Sequence, residues 1–210
     1  MPNLWTSAEH ALNYLGMADT IPHRTEGEGV LLEHVPKTVK RILDLGTGSG
    51  RLLSLLKIDR PHAQSIALDF SPTMLEAART QFADDDSVQV IAHNLDDPLP
   101  SLGEFDAVVS SFAIHHLTHA RKRSLYTEIF ACLLPGGIFC NLEHVASPNA
   151  KVHAQFRVAI GISQHPEDPS NILLDVETQL QWLREIGFDD VDCYWKWLEL
   201  ALIIGIKPIF

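Results

Sequence analysis

Three glycines, Gly46, Gly48 and Gly50, directly follow an apolar run and precede a helical one. Glycine lets the backbone turn tightly and lets a ligand approach without a Cβ in the way. Asp44, two residues earlier, is awkward beside a pyrophosphate but suits an ammonium or sulfonium charge. The dinucleotide fingerprint requires glycine where Arg51 stands, and no Gly-Lys-Ser/Thr follows as in a phosphate-binding loop. The turn therefore disfavours a nicotinamide dehydrogenase.

A second acidic residue, Asp69, ends the next apolar run. A carboxylate at the end of a strand can accept two hydrogen bonds from a ribose diol. Phe70 and Met74 follow and can flank an adenine. The alternative for Asp69 is a helix-capping or loop carboxylate, and its place between an apolar strand and Ser-Pro favours the ligand role.

Two polar pairs, His115-His116 and Glu143-His144, follow later apolar runs. Ligands of open α/β sheets lie outside the carboxyl ends of the strands, so both pairs are expected to face one pocket as candidate catalytic groups. The alternative for His116 is to fix its own loop by bonding neighbouring backbone. His115 and His119 can share a helix face as paired metal ligands, but the sequence fixes no third ligand, and no metal is predicted.

The elements that must position these residues alternate along the chain. From Lys40, short apolar runs alternate with helical stretches, which is typical of an α/β fold with a mostly parallel sheet covered on both faces. The last two runs, FDDVDCYW and LELALIIGI, have no helix between them and predict an antiparallel hairpin. Before Lys40 the pattern predicts a helix over residues 6–17, a loop at IPHRTEGEG and a short helix at VLLEHV.

Residues 147–175 break this alternation with three prolines and no strand signal, and they are a candidate lid. Within them, Glu167, Asp168 and Asn171 can meet a polar substrate or cap the turn that starts a helix.

The whole chain of 210 residues is acidic, with 16 Lys and Arg against 27 Asp and Glu and a net charge of −11. That charge disfavours general binding to nucleic acid or anionic membranes. The basic run 121–123 is expected to be a solvated helix face rather than an RNA contact. Three scattered cysteines, no opening typical of a signal peptide and no apolar run long enough for a bilayer predict a cytoplasmic location.

Five motifs carry a family resemblance: LDLGTGSG, ALDFSPTML, HNLDDPLP, FDAVVSSFAIHHL and LLPGGIFCNLEHV. In order and spacing they resemble those of class I S-adenosylmethionine-dependent methyltransferases, from about Lys40 to the C-terminus. The resemblance implies a single Rossmann-like domain whose seven-stranded, mostly parallel sheet has a reversed last strand and helices on both faces.

The resemblance also implies a cofactor site for S-adenosyl-L-methionine and its product S-adenosyl-L-homocysteine. The glycine turn with Thr47 would hold the methionine part, and Asp69 the ribose. Asn94 and Leu95 would border the adenine, and Ser111 and Phe112 would lie beside the methionine moiety. Asn94 stands where the family most often has Asp, and an amide oxygen can still accept from the adenine amino group.

The cofactor carboxylate needs a donor, and Arg24 is the candidate because arginine grips carboxylates with two parallel bonds. The alternative is a solvated surface arginine. Tyr14 can cover the pocket or pack in the core.

The predicted activity is methyl transfer to a small-molecule acceptor by in-line displacement. The alternatives are a tRNA-base methyltransferase or related transferase that uses the basic run 121–123, and a non-catalytic cofactor-binding interaction module. One domain is expected over 1–210. It comprises a helical cover (1–39), a cofactor-binding core (40–146), an insertion or lid (147–175), and a closing helix with a β-hairpin (176–210). A homodimer through the apolar hairpin stays open.

Overall fold

Seven of the short apolar runs form the strands of one sheet. The computed structural model describes residues 7–17 and 20–209. Its strands are β1 (Arg41–Leu45), β2 (Gln64–Asp69), β3 (Val88–Ala92), β4 (Phe105–Ser111), β5 (Leu133–His144), β6 (Asp189–Trp197) and β7 (Leu200–Ile206).

The strands lie in the order β3-β2-β1-β4-β5-β7-β6. The pairs from β3 through β5 are parallel, whereas β7 runs antiparallel to both β5 and β6. Asp44 of β1 lies opposite Ala67 of β2 and Val109 of β4. This register brings the carboxyl ends of β1, β2 and β4 to one edge, and the predicted Rossmann-like sheet with a reversed last strand is confirmed.

Helices cover both faces of the sheet. They are α1 (Ala8–Met17), α2 (Arg24–His34), α3 (Arg51–Asp59), α4 (Pro72–Gln81), α5 (His119–Cys132), α6 (Ala150–Ala159) and α7 (Val176–Ile186), with a 3₁₀ turn at Ile114–His116.

Successive residues of β4 point to opposite faces, as the pleat of a strand requires. Val109 belongs to a buried cluster with residues of α2, α3 and α6, whereas Val108 belongs to one with residues of α5 and α7. Burial on both faces explains why the strands are continuous apolar runs.

The loop predicted at IPHRTEGEG is wrong, because α2 already begins at Arg24. Gly27 explains the difference. A Cβ there would lie 2.8 Å from side-chain atoms of both Leu142 and Trp195, so glycine lets α2 pack closely against the sheet. The helix is therefore fixed by packing against β5 and β6, although two glycines lower its local propensity.

The insertion at residues 147–175 contains α6, which the sequence analysis did not predict. Asn149 caps this helix by accepting from the Val152 N–H at 3.0 Å. Asp168 holds a turn, since its Oδ1 accepts from the backbone N–H and the hydroxyl of Ser170 at 2.8 and 2.7 Å. Asp168 thus caps a turn, but no helix starts there, because α7 begins at Val176 with Asp175 as its cap. A lid role for the insertion stays a prediction.

The prediction that the basic run 121–123 is a solvated helix face is wrong for Lys122, whereas Arg123 is exposed. Lys122 is 1% exposed, and its ammonium donates to the carbonyls of His115, Leu117 and Ile172. Carbonyl groups at the 3₁₀ turn and in the insertion accept these hydrogen bonds and so stabilise the buried ammonium of Lys122. Arg121 and Arg123 are paired with carboxylates of Glu128 and Glu185.

The apolar character of the terminal hairpin comes from burial within its own sheet. Residues 200–204 of β7 are at most 2% exposed between β5 and β6, so their composition requires no second chain. Dimerisation stays a prediction. Across residues 7–17 and 20–209, no helix is long and apolar enough to cross a membrane.

Candidate active site

A cavity opens beyond the carboxyl ends of β1, β2, β3 and β4. It encloses about 980 Å³, including the solvent at its mouth. The lining contains these predicted cofactor residues: Arg24, Asp44, Gly46, Thr47, Gly48, Asp69, Phe70, Met74, Asn94, Leu95, Ser111 and Phe112. Gly50 is not in the lining. It caps α3 with φ 89°, and a Cβ there would lie 2.5 Å from the Phe82 ring.

The two glycines in the lining meet different demands. Gly46 has φ 68°, and a Cβ there would lie 2.2 Å from the Cβ of Ala113, so this glycine permits a close approach of two loops. Gly48 has φ 56°, and the nearest atom to a Cβ added there would be the Met74 sulfur at 3.9 Å, so the space above its Cα is open to the cavity. The Gly48 backbone is therefore the surface that a ligand can approach most closely.

Asp69 is held between the two turns of the backbone that flank it. Its Oδ2 accepts from the Gly48 N–H and its Oδ1 from the Ser71 N–H, both at 2.9 Å. Burial raises the pKa of Asp69, and the backbone N–H groups partly offset that shift. Each carboxylate oxygen has two lone pairs, so both can still accept from a diol.

Asp44 is the most deeply buried acid of the cavity. Its Oδ2 accepts from the Thr47 hydroxyl at 2.6 Å, whereas its Oδ1 has no hydrogen-bond partner among residues 7–17 and 20–209. Burial raises the pKa of Asp44 to about 7. A buried carboxylate oxygen without a donor is costly. A cationic donor bound in the cavity would remove that cost.

Two arginines meet at the other side of the glycine turn. Arg24 is 5% exposed, so the solvated alternative is wrong. Its Nε donates to Glu28 at 2.9 Å, and Arg51 grips the same carboxylate through Nε and Nη2 at 2.8 and 2.9 Å. The Arg24 guanidinium also lies 5.1 Å from the centre of the Phe112 ring, whose backbone is left-handed with φ 54°. Two guanidiniums thus share the Glu28 carboxylate beside the cavity.

Several lining residues were missed by the sequence analysis. Arg51 was noted only as a departure from the dinucleotide fingerprint, although its position at the start of α3 directly after the turn was a usable signal. His93 precedes Asn94, and its Nε2 is buried without a hydrogen-bond partner in the described part of the chain. The missed residues are Ser49, Arg51, Leu52, His93, Asp96, Ala113 and Leu117. Asn94 itself accepts from the Asp96 N–H at 3.1 Å, which uses one of its two oxygen lone pairs.

Of the four candidate catalytic groups, the structure brings His116 alone to this cavity. His115 and Glu143 are buried behind it, joined by a hydrogen bond of 2.7 Å between Nδ1 and Oε1. The rings of His115 and His116 are 3.9 Å apart. His144 faces a second cavity instead, so the expectation that both pairs face one pocket is wrong for His144.

His116 is a neutral imidazole at pH 7. Burial, with a contribution from His115, lowers the pKa of His116 to about 3. Its Nδ1 lies 3.2 Å from the Ser170 carbonyl oxygen, which can only accept. The hydrogen is therefore on Nδ1, and Nε2 is an acceptor. His116 therefore also fixes its own loop by bonding the backbone of Ser170, which is the alternative role stated for it above.

The second cavity lies between α6 and residues 162–173, and Glu199 forms its floor. Glu199 is fully buried and accepts from His144 at 2.9 Å, from His153 at 2.7 Å and from the Ser147 hydroxyl. Burial opposes ionisation of this carboxyl, but the three hydrogen bonds outweigh burial and lower the pKa of Glu199.

The proposed metal pair His115 and His119 does not converge. His115 bonds Glu143, whereas the Nε2 of His119 bonds the Leu173 carbonyl at 3.1 Å. Within the described ranges, no group of three or more His, Cys, Asp or Glu could hold a metal ion. The side chain of Tyr14 lies outside the described residues.

Comparison with known proteins matches the motifs to a family. Residues 42–137 match the model of a methyltransferase domain. The carboxy-S-adenosyl-L-methionine synthase of Desulforapulum autotrophicum is 29% identical over 187 residues, which are 80% of this chain and 74% of that protein. The enzyme of the same name from Salmonella paratyphi B is 27% identical over 198 residues, covering 85% and 79%. The chain is thus similar to class I S-adenosylmethionine-dependent methyltransferases, and the family model matches residues 42–137 of it. S-adenosylmethionine is the cofactor that this similarity supports.

Solved structures agree with this fold. An O-methyltransferase family protein from Burkholderia thailandensis has a TM-score of 0.75 at 18% identity, covering 97% of this chain and 61% of that one. Human N-acetylserotonin methyltransferase, solved with S-adenosylmethionine, has a TM-score of 0.70 at 16% identity, covering 98% and 58%. This chain thus spans about three fifths of their lengths. A putative methyltransferase bound to the Trm112 activator of Haloferax volcanii has a TM-score of 0.70 at 22% identity, covering 97% and 96%.

Proposed function

We propose that the protein transfers the methyl group of S-adenosylmethionine to a small-molecule acceptor by in-line displacement. The observation that carries the proposal is one cavity with a buried acid at the end of β1, a second acid at the end of β2 and an arginine pair beside the glycine turn. The cofactor supplies a methyl group on a sulfonium. The residues of the chain bind and orient the two reactants and exclude water.

The donor set of the cavity fits this cofactor. Asp69 presents acceptor lone pairs to the ribose diol, and Asp44 offers its unpartnered Oδ1 to the ammonium. Arg24 and Arg51 both line the cavity and offer guanidinium donors to the carboxylate. The Gly48 backbone lets the ligand lie against the turn. The other predicted cofactor residues in the lining border the adenine (Phe70, Met74, Asn94, Leu95) and the methionine chain (Gly46, Thr47, Ser111, Phe112).

His116 orients the acceptor rather than deprotonating it. A general base is most effective when its pKa lies near the working pH, whereas the pKa of His116 is about 3. A neutral Nε2 can accept a hydrogen bond from the acceptor without removing its proton. The pair His115–Glu143 stands behind this ring and supports it. We therefore expect an acceptor whose nucleophilic atom already has a lone pair at neutral pH.

The chain works as one unit in this proposal. The helical part before residue 40 supplies Arg24, and residues 40–146 form the cofactor cavity. The insertion 147–175 contacts His116 through Ser170, and residues 176–210 close the sheet.

The test is to incubate the protein with methyl-labelled S-adenosylmethionine and a cell extract, and to follow the label by mass spectrometry. Label in a small molecule supports the proposal, provided that the Gly48→Val variant leaves it unlabelled. Label in the RNA fraction alone would replace the acceptor with a tRNA base. Binding of S-adenosylhomocysteine without any movement of label would indicate a non-catalytic cofactor-binding module.

A second candidate function is carboxyl transfer to the cofactor itself. Its support is the name of the relatives, carboxy-S-adenosyl-L-methionine synthase, at 29% and 27% identity. The same incubation decides between the two, because carboxyl transfer from a carboxylic acid of the extract would replace one methyl hydrogen by a carboxyl group. The labelled carbon would then stay on a cofactor heavier by one CO2.

A further inference from the structure

The turn 168–171 of the insertion is docked against the loop that carries His116. The Ile172 N–H donates to the His115 carbonyl at 3.0 Å, and the Lys122 ammonium donates to the carbonyls of both residues at 2.7 and 3.0 Å. The Nε2 of His119 bonds the Leu173 carbonyl. Three of these hydrogen bonds join segments 50 or more residues apart and thus fix the turn beside the cavity wall.

Two atoms of Ser170 meet the same nitrogen of His116. The carbonyl oxygen lies 3.2 Å and the hydroxyl oxygen 3.1 Å from Nδ1. The Ser170 hydroxyl hydrogen is already given to Asp168 Oδ1 at 2.7 Å, so this oxygen also accepts from the ring. Both contacts therefore require the hydrogen on Nδ1.

We propose that Asp168 and Ser170 are positioning residues that hold His116 with its hydrogen on Nδ1 and Nε2 as an acceptor at the cavity wall. Free imidazole side chains prefer the hydrogen on Nε2, so the arrangement has to be imposed by the surroundings. Asp168 imposes it by holding both the N–H and the hydroxyl of Ser170, which turns the two acceptor oxygens toward Nδ1. The orientation of the acceptor by Nε2 rests on the proposed function, whereas the tautomer does not.

The tautomer is measured directly by long-range ¹H–¹⁵N spectra of the imidazoles at pH 7. The chain has 11 histidines, and the signals of His116 are assigned as those lost in His116→Gln. We expect the hydrogen on Nδ1 in the wild type and a shift toward Nε2 in Asp168→Ala. Asp168→Asn should keep the wild-type pattern, because its amide oxygen still accepts from Ser170. Ser163→Ala, an exposed serine of the same insertion, is the matched control.

A hydrogen on Nε2 in the wild type, or an unchanged tautomer in a folded Asp168→Ala, would overturn the proposal. Ser170→Ala keeps the carbonyl and removes the hydroxyl, so an intermediate tautomer ratio is expected there, and this variant decides if Asp168→Ala does not fold. If Asp168→Asn behaves like Asp168→Ala, the tautomer depends on the charge of Asp168 and not on its hydrogen bonds to Ser170, and the positioning role is wrong.

The kinetic arm uses transfer of labelled methyl to extract small molecules. Asp168→Ala should lower turnover about tenfold, with the dissociation constant of S-adenosylhomocysteine unchanged, and Asp168→Asn should restore it. Unchanged turnover in Asp168→Ala would remove the role of the tautomer in orienting the acceptor. An extract without any acceptor would contradict the proposed function, while the spectra would still decide the tautomer.

Discussion

At the scale of single residues, the two acids of the cavity do different work because their surroundings differ. Asp69 accepts from backbone N–H groups at both oxygens, which stabilises its charge before any ligand binds. Asp44 has one donor and one buried oxygen without a partner. Asp69 is therefore a preformed acceptor, whereas Asp44 depends on the ligand for its ionised state.

Replacement of Asp69 should weaken cofactor binding. Asp69→Ala removes a charged acceptor of two ribose hydroxyls, so we expect a loss of about 1.5–3 kcal/mol in the binding of S-adenosylhomocysteine by calorimetry. Gly48→Val should abolish binding by filling the open space at the turn. Asp84→Ala, at an exposed turn after α4, is the control. Equal affinities for all these proteins would place the cofactor elsewhere.

Cofactor affinity should depend on pH through Asp44. Below its pKa of about 7 the free protein holds Asp44 protonated, and binding of a cation must release that proton. The affinity for S-adenosylhomocysteine should therefore rise from pH 5.5 to about 7 and level off above it. Asp44→Asn should be weaker at pH 8 and nearly independent of pH. A flat wild-type profile would mean that the ligand cation does not meet this carboxylate.

Asp44 should also lower the stability of the unliganded protein at neutral and higher pH. The pKa of Asp44 is higher in the folded state than the 3.8 of an ordinary Asp, so its contribution to stability is present below about pH 4 and is lost as pH rises through 7. Asp44→Asn should therefore raise the melting temperature at pH 8, by the equivalent of roughly 4 kcal/mol at most, and change it little at pH 4. A lower melting temperature for Asp44→Asn at pH 8 would contradict the assigned burial cost.

At the scale of elements, α2 shows why part of the site was not predictable. Gly27 and Gly29 make the segment resemble a loop, and the reason for the helix lies in Leu142 and Trp195, far along the chain. The strands and the glycine turn were predictable because their signals are local. Arg24 was chosen correctly as a lining residue on chemistry alone, but its burial and its partner Glu28 follow from a helix that the sequence pattern concealed.

A matched pair of substitutions in α2 tests this packing. Gly29→Ala should stabilise the protein by up to about 1 kcal/mol, because no atom lies within 4 Å of the added Cβ and alanine favours helix. Gly27→Ala should instead destabilise it by about 1 kcal/mol or more, because overpacking against Trp195 exceeds the propensity gain. It should also weaken cofactor binding, since α2 carries Arg24. Urea denaturation and calorimetry measure both effects. Equal stabilisation by the two variants would exclude the close packing.

At the scale of the whole molecule, contacts between distant segments decide how the parts of the site meet. His144 faces the second cavity because α6 and Glu199 lie there, and neither could be placed from the motif around His144. The basic run 121–123 predicts a solvated Lys122. Its burial was not predictable, because its partner Ile172 is 50 residues away in sequence. The sequence predicts elements and their strand-end residues, but not which insertion covers which strand end.

Lys122 joins α5, the His116 loop and the insertion through one ammonium. Lys122→Met keeps the apolar stem but removes the ammonium that the carbonyls of His115, Leu117 and Ile172 share, so we expect a loss of roughly 3 kcal/mol or more in the free energy of unfolding. Lys37→Met is the matched control, because Lys37 is 73% exposed in its pair with Asp59 and exposed pairs contribute at most about 1 kcal/mol. Denaturation curves measure the difference between the two variants.

Hydrogen exchange should quicken at the Ile172 N–H in Lys122→Met, whereas the parallel strands keep their protection. Exchange that quickens uniformly over the sheet would mean that Lys122 stabilises the fold as a whole and does not specifically dock the insertion.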